Sequence, residues 1–167
     1  MIAIRYIGID PSTKTGFVAL ARNGIVITEQ EITGKSDKDP KRMVTLTEKI
    51  IKSLRRDDVI CVEGFSYGSR GRGMSFQFGL GHAIRNELYK NEVGYTIVTP
   101  SQLKKFATGK GNTSKDNMIL PIYKRWGYEH DSDNVRDAYI LAQIARAIDG
   151  RGELVKYQKE VIKELKK

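Results

Sequence analysis

The spacing of hydrophobic residues changes several times along the chain, and these changes outline its elements. Residues 2–10 are rich in β-branched and aromatic side chains and end at Asp10-Pro11-Ser12, where proline and serine favour a turn; this predicts a first strand. Apolar runs over 17–21 and 25–32 are separated by Arg22-Asn23-Gly24, and Asn-Gly between such runs signals a hairpin. Three antiparallel strands therefore open the chain. Asp39-Pro40 supplies a helix cap and a first-turn proline ahead of Met43, Leu46, Ile50 and Leu54, which recur at helical spacing and stop before Asp57-Asp58. The run over 59–62 reads as a buried fourth strand. Phe76, Leu80, Ile84 and Leu88 mark a second helix, and 95–98 is a fifth strand ending at Thr99-Pro100.

The remainder is helical: a short segment over 101–106, a helix capped near Ser114 that carries Met118, Ile122 and Trp126, and one starting near Asp133 with Val135, Ala138, Ala142 and Ala145. Leu154, Tyr157, Val161 and Leu165 give a closing amphipathic segment. A strand meander followed by alternating helices and strands predicts an α/β fold. Its mixed five-stranded sheet has three antiparallel strands followed by parallel ones and is flanked by helices. At 167 residues and 40% hydrophobic content, with no repeat or low-complexity stretch, one core is expected: a main body over 1–150 and a basic helix over 151–167 belonging to it.

Charge adds a partner class. Lys and Arg number 29 against 20 acids, a net +9, which suits a polyanion although many proteins without one share it. The distribution says more. Lys104, Lys105, Lys110 and Lys115 fall in a stretch with no acid, and Arg70 and Arg72 sit in the glycine-rich segment 64–73; the plain alternative for any one run is a solvated face. The single cysteine, Cys61, lies in an apolar run and excludes a disulfide framework or a Cys-rich zinc site. The opening apolar stretch is too short and interrupted for a signal peptide and no run reaches membrane-span length, so a cytoplasmic protein with no membrane partner is expected.

The acids supply the chemistry. Asp10 ends the first strand and Glu63 follows the last apolar residue of the fourth, and carboxylates at strand ends of an α/β sheet can converge; each alone also fits a turn or capping role. In Asp133-Asn134-Val135-Arg136-Asp137, Asp133 and Asp137 share one helix face while Val135 and Ala138 lean to the core. The helix dipole suffices to explain Asp133. It explains Asp137 less well, because an apolar run follows it. Clustered carboxylates repel unless cations neutralise them, and oxygen donors suit Mg²⁺ or Mn²⁺ rather than zinc. Two such ions about 3.5–4 Å apart activate a water and stabilise the leaving oxygen of a displacement at phosphorus, which is phosphodiester hydrolysis.

Four motifs in order then carry a resemblance: Gly8-Ile9-Asp10-Pro11-Ser12 with Gly16; Val62-Glu63; Thr99-Pro100-Ser101-Gln102-Leu103-Lys104-Lys105 through Gly109 to Lys115; and Ser132-Asp133-Asn134 with Asp137-Ala138. Over residues 2–148 the chain resembles the RuvC-type Holliday-junction resolvases. The resemblance implies a ribonuclease H-like fold, a homodimer, and nicking of Holliday junctions, and of forks and flaps, with two Mg²⁺ ions (Mn²⁺ substituting), giving 5′-phosphate and 3′-hydroxyl ends during recombination and repair. It makes Asp10, Glu63 and Asp137 catalytic metal ligands. The family's fourth acid falls at Asn134, so Asp133, one residue earlier, is taken as the fourth ligand with Asn134 as the alternative. Lys115 and Lys104 match basic positions near the scissile phosphate.

Lys105, Lys110, Arg70 and Arg72 are expected on DNA, and Phe65 or Tyr67 is expected to stack on an unpaired base, with packing beneath the loop as the alternative. The loop's departure from cellular resolvases points to the broader phage-type enzymes, acting in a bacterial host's cytoplasm. The helix 76–88 corresponds to where the family dimerises, with Phe76, Phe78 and Leu80 as dimer or core residues. Two rival readings keep the fold: an RNA-directed nuclease and a non-catalytic junction-binding protein. Asp10 to Gly16 also resembles a phosphate loop of actin-like ATPases, but no second Asp-x-Gly follows, and Gly109-Lys110-Gly111-Asn112-Thr113 lacks P-loop spacing.

Overall fold

The computed structural model describes residues 3–68 and 70–167; residue 2 of the expected first strand and Ser69 of the glycine-rich loop lie outside the described residues. Its elements run β1 (Tyr6–Asp10), β2 (Thr15–Leu20), β3 (Val26–Ile32), α1 (Lys41–Lys52), β4 (Val59–Glu63), α2 (Met74–Lys90), β5 (Thr96–Val98), α3 (Pro100–Thr108), α4 (Asp116–Trp126), α5 (Asp133–Ile148) and α6 (Lys156–Leu165). The sheet order is β3-β2-β1-β4-β5. β1 pairs antiparallel with β2 and parallel with β4, and β4 parallel with β5, as the sequence pattern predicts.

Alternation along the central strands sends side chains into two cores. Tyr6, Val18, Leu20, Cys61 and Val98 face α3, α4, α5 and α6; Ile7, Ile9, Phe17, Ile60 and Val62 face α1 and α2. β1 is buried along its whole length, which is why its sequence reads as an apolar run rather than an alternating one. Two glycines set how close α5 comes. A Cβ on Gly8 would lie 1.8 Å from the Ala138 carbonyl oxygen, and one on Gly16 would lie 2.0 Å from that of Asn134. Only glycine at these strand positions lets the helix backbone rest on the sheet.

Several details differ from the sequence reading. β1 begins at Tyr6, and Glu63 belongs to β4 rather than following it. Pro40, not Asp39, occupies the position capping α1; the Asp39 carboxylate instead accepts from the Met43 backbone at 3.3 Å and from Arg42 at 2.7 Å. Phe76 and Leu80 are core residues under the sheet, so they supply no surplus apolar surface on α2. The terminal α6 packs on α3: Val161 and Ile162 join the core, and Gln158 Nε2 donates to the Phe106 carbonyl at 3.2 Å. Among the described residues no helix is long and apolar enough to cross a membrane.

Candidate active site

The fold brings three of the expected acids together. Asp10 and Glu63 end neighbouring parallel strands, and Asp137 lies one turn into α5, which Gly8 and Gly16 admit against those strands. Carboxylate oxygens of the three lie within 4.8 Å of one another. Asp10 and Asp137 are each only 8% exposed. Glu63 keeps some contact with solvent, but its Oε2 is shut off and has no hydrogen-bond partner among the described residues.

Burial and mutual repulsion disfavour three negative charges here. Burial, then the charges of Glu63 and Asp137, push Asp10 well above the usual carboxylate range. Burial and Asp137 raise Glu63 to about 7. Burial also raises Asp137, against the pull of Lys115. The cluster has the character of a hard-cation site: oxygen donors only, excess negative charge, and an orphaned acceptor in Glu63 Oε2. The residues present therefore fit a divalent cation such as Mg²⁺ or Mn²⁺.

Lys115 approaches from the start of α4. Its Nζ donates to Asp133 Oδ2 at 2.5 Å and lies 3.5 Å from Asp137 Oδ2, so a cationic group already bridges two of the acids. Burial favours its neutral form, but the bond to Asp133 and the charges of Asp137 and Asp10 outweigh that and hold it protonated. The same contact lowers Asp133. Asp133 is thus engaged with Lys115 and lies outside the three-acid group. Asn134 faces the β1–β2 turn, its amide donating to Ser12 Oγ at 3.2 Å and to the Lys14 carbonyl at 2.9 Å. The N-terminus of α5 is held by Ser132, whose Oγ accepts from Val135 N and donates to Glu31 on β3 at 2.5 Å.

Among the other expected residues, Lys104 lies close enough for its charge to act on Glu63, on a helix whose start is fixed by the reciprocal Thr99–Gln102 capping box with Pro100 in its first turn. Lys105 instead turns to α6, pairing with Glu160 at 3.1 Å and Glu164 at 3.9 Å. Lys110, Arg70 and Arg72 are exposed. Tyr67 is 84% exposed, whereas Phe65 packs down on α2. A small cavity of about 60 Å³ opens between the acids and this loop, lined by Asp10, Glu63, Phe65, Gln77, Phe78 and Gly81. Sequence reasoning passed over Thr15, Gln77 and Gly81. Thr15 is fully buried and its Oγ1 donates to the Ser12 carbonyl at 2.7 Å, fixing the turn after Asp10. Gly81 carried a readable signal, because glycine inside a helical pattern often marks a close approach.

No family model and no curated protein matches the chain. Solved structures do. Thermus thermophilus RuvC in complex with a Holliday junction substrate superposes with a TM-score of 0.66 at 19% identity, covering 85% of this chain and 91% of that one. A second Thermus thermophilus RuvC structure gives a TM-score of 0.67 at 17% identity, covering 92% and 100%. The superpositions span most of both chains, and the chain, with its mixed sheet β3-β2-β1-β4-β5 flanked by helices, has the ribonuclease H-like fold of RuvC.

Proposed function

We propose that the chain is a structure-specific endodeoxyribonuclease that nicks Holliday junctions, and with them forks and flaps, and that it works as a homodimer. The observation that carries this reading is the buried Asp10–Glu63–Asp137 cluster with its orphaned Glu63 oxygen, set in a fold shared with RuvC in complex with a Holliday junction substrate. The basic composition and exposed Lys110, Arg70 and Arg72 support a polyanionic partner.

Asp10, Glu63 and Asp137 would hold Mg²⁺ or Mn²⁺, which when bound supplies the Lewis acidity that phosphodiester hydrolysis needs at the attacking water and the leaving oxygen. Asp133, on the same helix face as Asp137, is the proposed fourth carboxylate; it stands outside the three-acid group and joins it when its ion pair with Lys115 opens. In the reaction a water oxygen bonds to phosphorus and the bond to the 3′ oxygen breaks, leaving 3′-hydroxyl and 5′-phosphate ends. Negative charge builds on the phosphoryl oxygens, and Lys115 beside Asp137, together with Lys104, whose charge reaches Glu63, can offset that charge. Tyr67 offers an exposed ring for an unpaired base at the branch. Dimerisation is assigned to the α2 side, where a groove of about 930 Å³ runs between α1 and α2 past Met43 and the exposed Val44.

The reading is tested by incubating the protein with a four-way junction, fork, flap, linear duplex and RNA–DNA hybrid in Mg²⁺ or Mn²⁺, with ligation of products to report their ends. Nicking of the junction in preference to linear duplex is expected. Cleavage of the hybrid alone would assign the site to RNA, and tight junction binding without nicks in either metal would make the protein a binder only.

A further inference from the structure

The loop leaving β4 is fastened at two successive residues directly after Glu63. Gly64 N donates to the Val98 carbonyl at 2.8 Å, continuing the β4–β5 ladder, and a Cβ on Gly64 would lie 2.9 Å from Ile97 Cγ2. Phe65 then lies flat on α2. Its ring centroid is 4.6 Å from that of Phe78 and 4.9 Å from that of His82, and the Arg85 guanidinium carbon sits 4.3 Å from its centre. Beneath the ring is Gly81, where an added Cβ would meet Phe65 Cε1 at 2.5 Å. Arg85 Nε is buried with no hydrogen-bond partner among the described residues, so its Phe65 contact is a cation–π one. Glu63 Oε2, by contrast, has no hydrogen-bond partner among the described residues. Apart from its contact with Asp10, the carboxylate is placed by the backbone on either side of it.

We infer that Phe65, seated on Gly81 and covered by Arg85, is a positioning residue: it latches the β4 exit to α2 and so fixes the Glu63 carboxylate for metal binding, and it is not a DNA-stacking side chain. The inference rests on the metal-site reading above and revises the stacking role that the sequence suggested for this ring. Groups that orient a ligand are worth about 10–100-fold in metal affinity or activity when altered. Gly81 is the discriminating position, because it is buried and cannot touch DNA.

The experiment compares wild type, Phe65→Leu, Gly81→Ala and the double variant in full-length protein. Mn²⁺ affinity is measured by calorimetry, junction affinity in EDTA by fluorescence anisotropy, and folding by circular dichroism. Phe65→Leu and Gly81→Ala are each expected to weaken Mn²⁺ binding about tenfold or more with junction affinity within about twofold of wild type. The double variant should bind Mn²⁺ more tightly than the product of the single effects predicts, because a smaller residue 65 makes room for the new Cβ. A loss of junction affinity in Phe65→Leu with Mn²⁺ binding intact would put the ring on DNA and overturn the inference, as would unchanged Mn²⁺ affinity in both single variants. If Gly81→Ala fails to fold, Phe65→Leu alone decides by the same two affinities. Wild type that binds no Mn²⁺ would instead sink the metal-site reading on which this one stands.

Discussion

Replacing Glu63 by glutamine should stabilise the metal-free protein. The Glu63 carboxyl is raised from 4.5 to about 7 by burial and by Asp137, so the folded protein binds this proton more tightly than the unfolded chain does. Below pH 4.5 both states carry the proton and the site costs nothing. Between about pH 4.5 and 7 the unfolded chain ionises first and stability falls, reaching a plateau above 7. A shift of this size corresponds to about 3 kcal/mol, at roughly 1.4 kcal/mol per pH unit. At about 2–4 °C per kcal/mol for a chain of this length, Glu63→Gln should melt about 6–12 °C above wild type at pH 8. The assay is thermal melting in EDTA at pH 4 and pH 8. The gain should be confined to pH 8, and Mn²⁺ should narrow it by stabilising wild type more than the variant. A variant that melts at or below wild type at pH 8, or that gains equally at both pH values, would refute the reasoning.

Three other outcomes follow from the geometry. Lys115→Met removes the cation between Asp133 and Asp137 and should lower kcat for junction nicking by about 10²–10³ with a smaller change in KM, read from single-turnover and steady-state kinetics. Gly16→Ala forces a Cβ to within 2.0 Å of a helix carbonyl; overpacking of this kind costs about 1–3 kcal/mol or more, so the melting temperature should drop and nicking fall with it as α5 shifts. Arg72→Ala should weaken binding to all DNA forms alike and reduce the slope of log K against log salt by about 0.9, the signature of one lost phosphate contact; an unchanged slope would place Arg72 off the DNA.

Much of this was legible in the chain because it depends on local spacing. The strand meander follows from apolar runs split by Asn23-Gly24, and the convergence of Asp10 with Glu63 follows from their places at the ends of two strands that pair in parallel. Asp137 was legible because an apolar run behind it fixes which way α5 faces. Choices between side chains competing over long sequence separations were not legible. Asp133 and Asp137 share a helix face by spacing, but Lys115, from another helix, decides that Asp133 is tied up in an ion pair. Lys105 looked like its neighbour Lys104 until α6 presented Glu160 to it. Phe65 and Tyr67 were equivalent on paper, and the missing side chain at Gly81 is what lays one ring down while the other stands exposed.

The central claim, that Asp10, Glu63 and Asp137 form a cation-dependent catalytic cluster, is tested most directly by pairing two readouts on Asp10→Asn, Glu63→Gln and Asp137→Asn: nicking of a four-way junction in Mg²⁺ or Mn²⁺, and junction affinity in EDTA. Each variant is expected to lose nicking while binding the junction as wild type does. Nicking at the wild-type rate by any one of the three would contradict the account.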